Sequence, residues 1–190
     1  MKVSAWYLAA CVACLACAAQ AQPRAIDTDK STMTVRVFKS GMLSALGHDH
    51  EISAPIASGT VDANAKQVEF RVRAADMKVR DPNGPEKDRD QVQANMVGPE
   101  VLDAQKFAEI VFRSTSVDAG GEGTWKVQGD LKLHGQSSHV TVEVREASGH
   151  YTGSSRLKLS DFGIKPIKAA GGTVRVKDEI RIEFDIQLAR

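Results

Sequence analysis

From Met33 onward, apolar and polar residues alternate with a period of two. Met33, Val35 and Val37 share one parity. In VEFRVR, Val68, Phe70 and Val72 oppose Glu69, Arg71 and Arg73. The stretch EIVFRSTSV offers Ile110 and Phe112. TWKVQGDLKL sets Trp125, Val127, Gly129, Leu131 and Leu133 against Lys126, Gln128, Asp130 and Lys132. Val140, Val142 and Val144 follow, then Tyr151, Leu157 and Leu159. In the last run Val174, Val176, Ile180, Ile182, Phe184, Ile186 and Leu188 oppose Arg175, Lys177, Arg181, Glu183, Asp185 and Gln187. Successive strand side chains point to opposite faces, so this alternation predicts antiparallel strands with one buried and one wet face. Turn clusters at Asp62-Ala63-Asn64-Ala65, Asp118-Ala119-Gly120-Gly121, His134-Gly135-Gln136-Ser137 and Ala170-Gly171-Gly172 separate the runs. Roughly eight short strands at this spacing predict an all-β barrel or sandwich. An up-and-down antiparallel barrel, which removes sheet edges, fits best.

One segment breaks the rhythm. Asp81 to Phe107 is charged, holds three prolines and lacks the period of two. Val92 and Met96 are four apart, and Pro99-Glu100 resembles a helix start. The expectation is a short helical insertion, one or two helices within Glu86 to Ala104, lying over a barrel end. An insertion this long is more often functional than decorative.

The first residues predict processing rather than fold. Lys2, a short apolar run and Ala19-Gln20-Ala21 form a signal-peptide pattern, predicting cleavage after Ala21 and a mature domain over residues 22–190. A rival lipobox, LAAC at Leu8 to Cys11, has too little apolar chain before it, and Cys17 sits in a poor context. All 3 cysteines, Cys11, Cys14 and Cys17, fall inside the signal. The mature chain is therefore expected to have no disulfide, and its core must hold it. Without Lys2 the 25 basic residues become 24, equal to the 24 acidic ones. A neutral chain with no basic block argues against a nucleic-acid partner. No later apolar run reaches the length of a membrane span. The expected location is the periplasm or outside the cell.

Candidate chemistry centres on GHDHE. On a strand, His48 and His50 would face the same side and could share a metal, but a third ligand is needed, and His134, His139 and His150 lack diagnostic spacing. SDFG (Ser160 to Gly163) matches a kinase magnesium motif without the rest of that machinery. No serine lies in a nucleophile elbow, and the close carboxylates Asp88 and Asp90 fit a solvated helix face. Nothing predicts an enzyme. A barrel of about eight strands is either filled by side chains or holds one small ligand. The small inward residues Gly129, Gly153 and Ser155 suggest room inside.

Several stretches carry a family resemblance. DTDKSTMTVRV, KFAEIVFRSTSV, VQGDLKLHGQSSHVTVEV and LKLSDFGIK together resemble the YceI-like family of exported lipid- or polyisoprenoid-binding proteins across nearly the whole mature chain. The departures are Ala108 and Ser138, where the family usually has proline, and a blurred block from Val97 to Asp103. The resemblance implies an extended lipocalin-like barrel and a periplasmic or secreted carrier without catalysis or cofactor. Its ligand would be a long-chain lipid: a polyisoprenoid, an isoprenoid quinone-like molecule or a fatty-acyl chain. Inward parity places Val35, Val37, Phe70, Phe112, Trp125, Leu131, Val142 and Phe184 in the cavity wall, and the family-like SDFG segment adds Phe162. Met42, Leu43, Leu46, His48 and His50 would form the rim, with Val101 and Leu102 on a helix above it. A homodimer is compatible with this reading. Two alternatives stay open: a metal binder or metal-dependent enzyme using His48 and His50, and a filled barrel acting through its surface.

Overall fold

The computed structural model describes residues 22–40, 49–82, 86–165, 168–169 and 174–189. The expected signal peptide and the rim residues Met42, Leu43, Leu46 and His48 lie outside the described residues. Among these residues twelve antiparallel strands form one curled sheet. They are β1 (Arg24–Ala25), β2 (Thr32–Ser40), β3 (His50–Ser53), β4 (Ile56–Asp62), β5 (Gln67–Arg73), β6 (Lys78–Val79), β7 (Glu109–Gly121), β8 (Thr124–Leu133), β9 (Gln136–Ala147), β10 (His150–Lys158), β11 (Lys168–Ala169) and β12 (Val174–Gln187). One α-helix is present among the described residues, α1, spanning Glu86–Val97. Among the described residues no helix is long and apolar enough to cross a membrane.

The count exceeds the expected eight for a physical reason. Eight strands have seven or more residues; the other four are short pieces. Bends in the chain produce three of the pieces. β3 and β4 are one strand bent at Ala54-Pro55, where proline cannot donate to a ladder. A 3-10 turn at Ala74–Asp76 divides β5 from β6, and the Asp27–Ser31 turn divides β1 from β2.

At one end the sheet meets itself. β1, β4, β5, β7, β8, β9, β10 and β12 are neighbours in that order. Ile26 then bridges to Leu188, and the Asp27 amide donates to the Gln187 carbonyl at 2.8 Å. The Gln187 amide donates to Ser31 Oγ at 3.0 Å, so buried Ser31 belongs to the join. At the other end the order runs β12, β2, β3, β6. Among the described residues β6 makes no ladder with β7. That seam, a departure from a simple up-and-down ring, lies beside α1, which packs on β6.

The inward parity makes one core, in which Val72, Phe112, Leu131, Leu157 and Ile180 are buried. Burying each such side chain contributes about 1.5–3 kcal/mol. The outer faces carry cross-strand ion pairs, such as Arg36 with Glu51 and Glu183, and Glu69 with Arg113, while Arg71 pairs with Glu69 along β5. Bulges adjust the parity. The β7–β8 register shifts between Ser114 and Ser116, which turns Val117 inward after Phe112. The β12–β2 register shifts between Val176 and Ile180, and Asp178 in that gap accepts from Ser160 N at 2.8 Å and Ser160 Oγ at 2.6 Å.

The inward glycines are not empty space. A Cβ on Gly153 would lie 2.6 Å from the ring of its cross-strand partner Phe184, and one on Gly129 would lie 2.6 Å from the Phe112 ring. Aromatic rings lie across these glycines and cover the backbone.

Candidate functional site

The curled sheet encloses an apolar cavity of about 480 Å³. Its wall is built by strand parity. β5 supplies Val68, Phe70 and Val72, β9 supplies Val140, Val142 and Val144, and β12 supplies Ile180, Ile182, Phe184 and Ile186. Val35, Val37, Phe70, Phe112, Trp125, Leu131, Val142 and Phe184 all lie in this wall. Phe70 and Phe112 stack in the wall, with centroids 5.3 Å apart. Trp125 marks the end beside the β4–β5 turn and is 38% exposed.

Phe162 does not line the cavity. It is 1% exposed in a 3-10 turn, Leu159–Phe162, that packs against β9, β10 and β12. Gly163, at φ 73°, reverses the chain there and turns the ring into the core beside the wall. The Asp178 carboxylate holds the start of this turn. Hydrogen bonds from the Ser160 hydroxyl and amide keep its pKa below the ordinary value.

The other end of the cavity lies under α1. Val92, Asn95 and Met96 face it, with Val101 and Leu102 beside them. Val101 and Leu102 are buried, but not on a second helix. Gly98 follows the end of α1, and the chain folds back through Val101 N to Gly98 O at 3.2 Å and Leu102 N to Met96 O at 3.1 Å. Pro99-Glu100 therefore lies in a turn rather than at a helix start.

Gln93 ties α1 to β6, and Arg89 Nη1 also donates to the Arg80 carbonyl beyond it at 3.5 Å. Gln93 Oε1 accepts from Val79 N at 2.9 Å, and Gln93 Nε2 donates to Met77 O at 3.0 Å. The amide stands in for the neighbouring strand that β6 lacks. Nothing in the sequence marked Gln93, because its partners are backbone atoms fourteen and sixteen residues away.

His50 also lines the cavity. Its Nδ1 lies 2.6 Å from Asp81 Oδ2, while Asp81 Oδ1 accepts from Glu51 N at 2.8 Å. The Asp81 side chain is 0% exposed. Asp81 has φ 28°, a left-handed backbone that aspartate tolerates better than most residues. Sequence reasoning missed Asp81, since it sits 31 residues from His50 in a segment that otherwise looks solvated. The other described histidines are engaged elsewhere: His134 with the Phe162 carbonyl, His139 with Asp130 and His150 with Asp185. Among the described residues no cluster of three or more His, Cys, Asp or Glu side chains could hold a metal ion.

A curled antiparallel sheet around an apolar cavity, with a helix at one end, defines a lipocalin-like barrel. The YceI-like domain family matches residues 25–188, and the chain belongs to that family. A UPF0312 protein of Shewanella sp. (strain W3-18-1) is 28% identical over 160 residues, covering 78% of this chain and 80% of that protein. A UPF0312 protein of Vibrio cholerae is 30% identical over 119 residues, 57% of this chain, and the match spans 58% of the relative's length. Among solved structures, Burkholderia cenocepacia BcnA aligns with a TM-score of 0.61 at 19% identity, covering 87% of this chain and 99% of that one. A Campylobacter jejuni YceI protein variant aligns at 0.51 with 14% identity, covering 80% and 84%. These structural likenesses concern the fold.

Proposed function

We propose that this protein is an exported binding or carrier protein for a long-chain apolar ligand: a polyisoprenoid, an isoprenoid quinone-like molecule or a fatty-acyl lipid. The observation that carries this reading is the continuous apolar cavity of about 480 Å³ under α1, within the roughly 300–1,000 Å³ common for small-molecule sites. A filled barrel would leave no such space. Each methylene of a chain buried there contributes about 0.8 kcal/mol, so a long tail binds tightly without an ion pair. The export half of the proposal rests on Lys2, the apolar run and Ala19-Gln20-Ala21. No catalytic constellation is part of it.

Titrating delipidated protein with a long-chain polyene fluorophore tests the reading. The native chain should bind one equivalent. Phe70→Glu, checked for folding by circular dichroism, should bind at least 100-fold more weakly, because an unpaired buried charge costs several kcal/mol. Equal binding by folded Phe70→Glu protein contradicts the proposal.

A further inference from the structure

Phe70, Phe112, Trp125, Tyr151 and Phe184, aromatic side chains of the strands, all line the cavity. Phe38, on β2, has the outward parity and does not. It is half-buried, with Lys177 Nζ 5.9 Å from its ring centroid. The cause is the bulge in β12. Between the pairs Val176–Lys39 and Ile180–Val37, three residues stand opposite Phe38 where a regular ladder has one. Asp178 is taken by Ser160, while Lys177 and Glu179 stay with the ring. With Arg156 and Arg181 they wall a shallow outer pocket of about 200 Å³ that shares no residue with the cavity.

The same face carries a conflict of charge. Arg156 stands opposite Arg181, and Arg181 opposite Arg36, so three arginines form one cross-strand row. Like charges directly opposite destabilise a sheet. Acids offset the row only in part. Glu183 serves both Arg36, at 2.8 Å, and Arg181, at 3.2 Å, and Glu179 approaches Arg156 only to 3.8 Å. Lys177 forms no ion pair among the described residues. A local rule broken in this way, on a wall otherwise consistent with its pattern, marks a functional place.

We propose that this outer pocket binds a small anion carrying one aromatic ring, an aryl carboxylate or an aryl phosphate. The ring lies against Phe38, and the acid group takes the guanidinium donors of Arg156 and Arg181 beside the Lys177 ammonium. Arginine presents paired N–H donors that match carboxylate and phosphate oxygens. Phe38 supplies a flat apolar contact that an inorganic ion does not use. The space suits a single ring, since a cavity of about 150 Å³ holds benzene. Glu179 competes weakly for Arg156, because an exposed pair at this distance contributes little. The site is independent of the carrier reading.

Two-dimensional NMR of the native protein during titration with phenyl phosphate and with benzoate tests the proposal. At least one of the two should bind saturably, moving the signals of Phe38, Lys177 and Arg181, and its identity tells phosphate from carboxylate. It should bind about 10-fold more tightly than inorganic phosphate, acetate or benzyl alcohol, each of which keeps only part of the contacts. Phe38→Leu, which keeps an apolar side chain, should bring the aryl anion down toward the matching anion without a ring. Arg156→Gln should weaken it about 10-fold, the scale of one charge-assisted hydrogen bond. Thermal stability of Arg156→Gln should be unchanged or raised, because Arg181 loses a like-charged neighbour, and fluorophore binding in the cavity should be unaffected. Absence of saturable binding by both ring anions overturns the proposal. So does equal affinity for benzyl alcohol or inorganic phosphate, or full affinity in folded Arg156→Gln protein.

Discussion

The two ends of the barrel are closed by different means. At the β1 end, strands meet strands: Ile26 bridges Leu188, Ser31 and Asp27 hold Gln187, and the hydrogen bonds belong to backbone ladders or a buried serine. At the α1 end, among the described residues, β6 has no strand beside it on one side, and the Gln93 side-chain amide takes that place. The Asp81–His50 pair stands at this end too. A ladder is cooperative and opens only with the sheet. A helix held by side-chain hydrogen bonds from Gln93 and Arg89 and by the buried Met96 opens more readily than a ladder. Under the proposed carrier function, the wall supplies stability and the mouth would pass the ligand.

The strongest way to break this division is to disturb the wall. Gly153→Val places a side chain against the Phe184 ring at 2.6 Å and the Glu143 carbonyl at 2.5 Å. Overpacking of this kind costs about 1–3 kcal/mol, so thermal unfolding should fall by several degrees. An unchanged transition would show that the rings over the glycines are not part of the wall's packing. Gln93→Ala probes the mouth and should matter less to stability. It removes two hydrogen bonds of about 0.5–1.5 kcal/mol each. The Val79 amide should exchange hydrogen faster and bound fluorophore should leave faster, with wall amides in β8 and β9 unaffected. Equal acceleration across the wall would erase the distinction between the ends.

The smallest effect belongs to the outer surface. The Arg36 guanidinium holds the Glu183 carboxyl below its ordinary pKa. A carboxyl depressed in the folded state contributes stability above its unfolded pKa and loses it as pH falls through the lower folded value. Glu183→Gln should therefore flatten the acid limb of a stability–pH profile, by less than about 1 kcal/mol because the pair is exposed. An unchanged acid limb would remove Arg36–Glu183 from the account.

The same contrast explains what could be read from the chain. The wall was legible because a buried strand face repeats every two residues, and Val140, Val142 and Val144 need no distant information to announce it. Even the bulges at Ser114–Ser116 and Val176–Ile180 left most of the inward set intact. The mouth was not legible. Gln93, Asp81 and the turn holding Val101 and Leu102 act through backbone atoms or residues far along the chain, and no periodicity marks such contacts. Phe162 was misplaced for a related reason: a left-handed Gly163 ends the strand pattern and turns the ring into the core. Gly129 and Gly153 suggested space, where the fold lays the rings of Phe112 and Phe184 across them.

Native mass spectrometry of the protein purified without detergent from its own host, followed by organic extraction, tests the central claim most directly. The account predicts a one-to-one adduct, released by solvent, whose extracted component is a long-chain apolar lipid, and which is absent from Phe70→Glu protein. A bare chain mass after exposure to every lipid extract, or an adduct that Phe70→Glu retains in full, would contradict it.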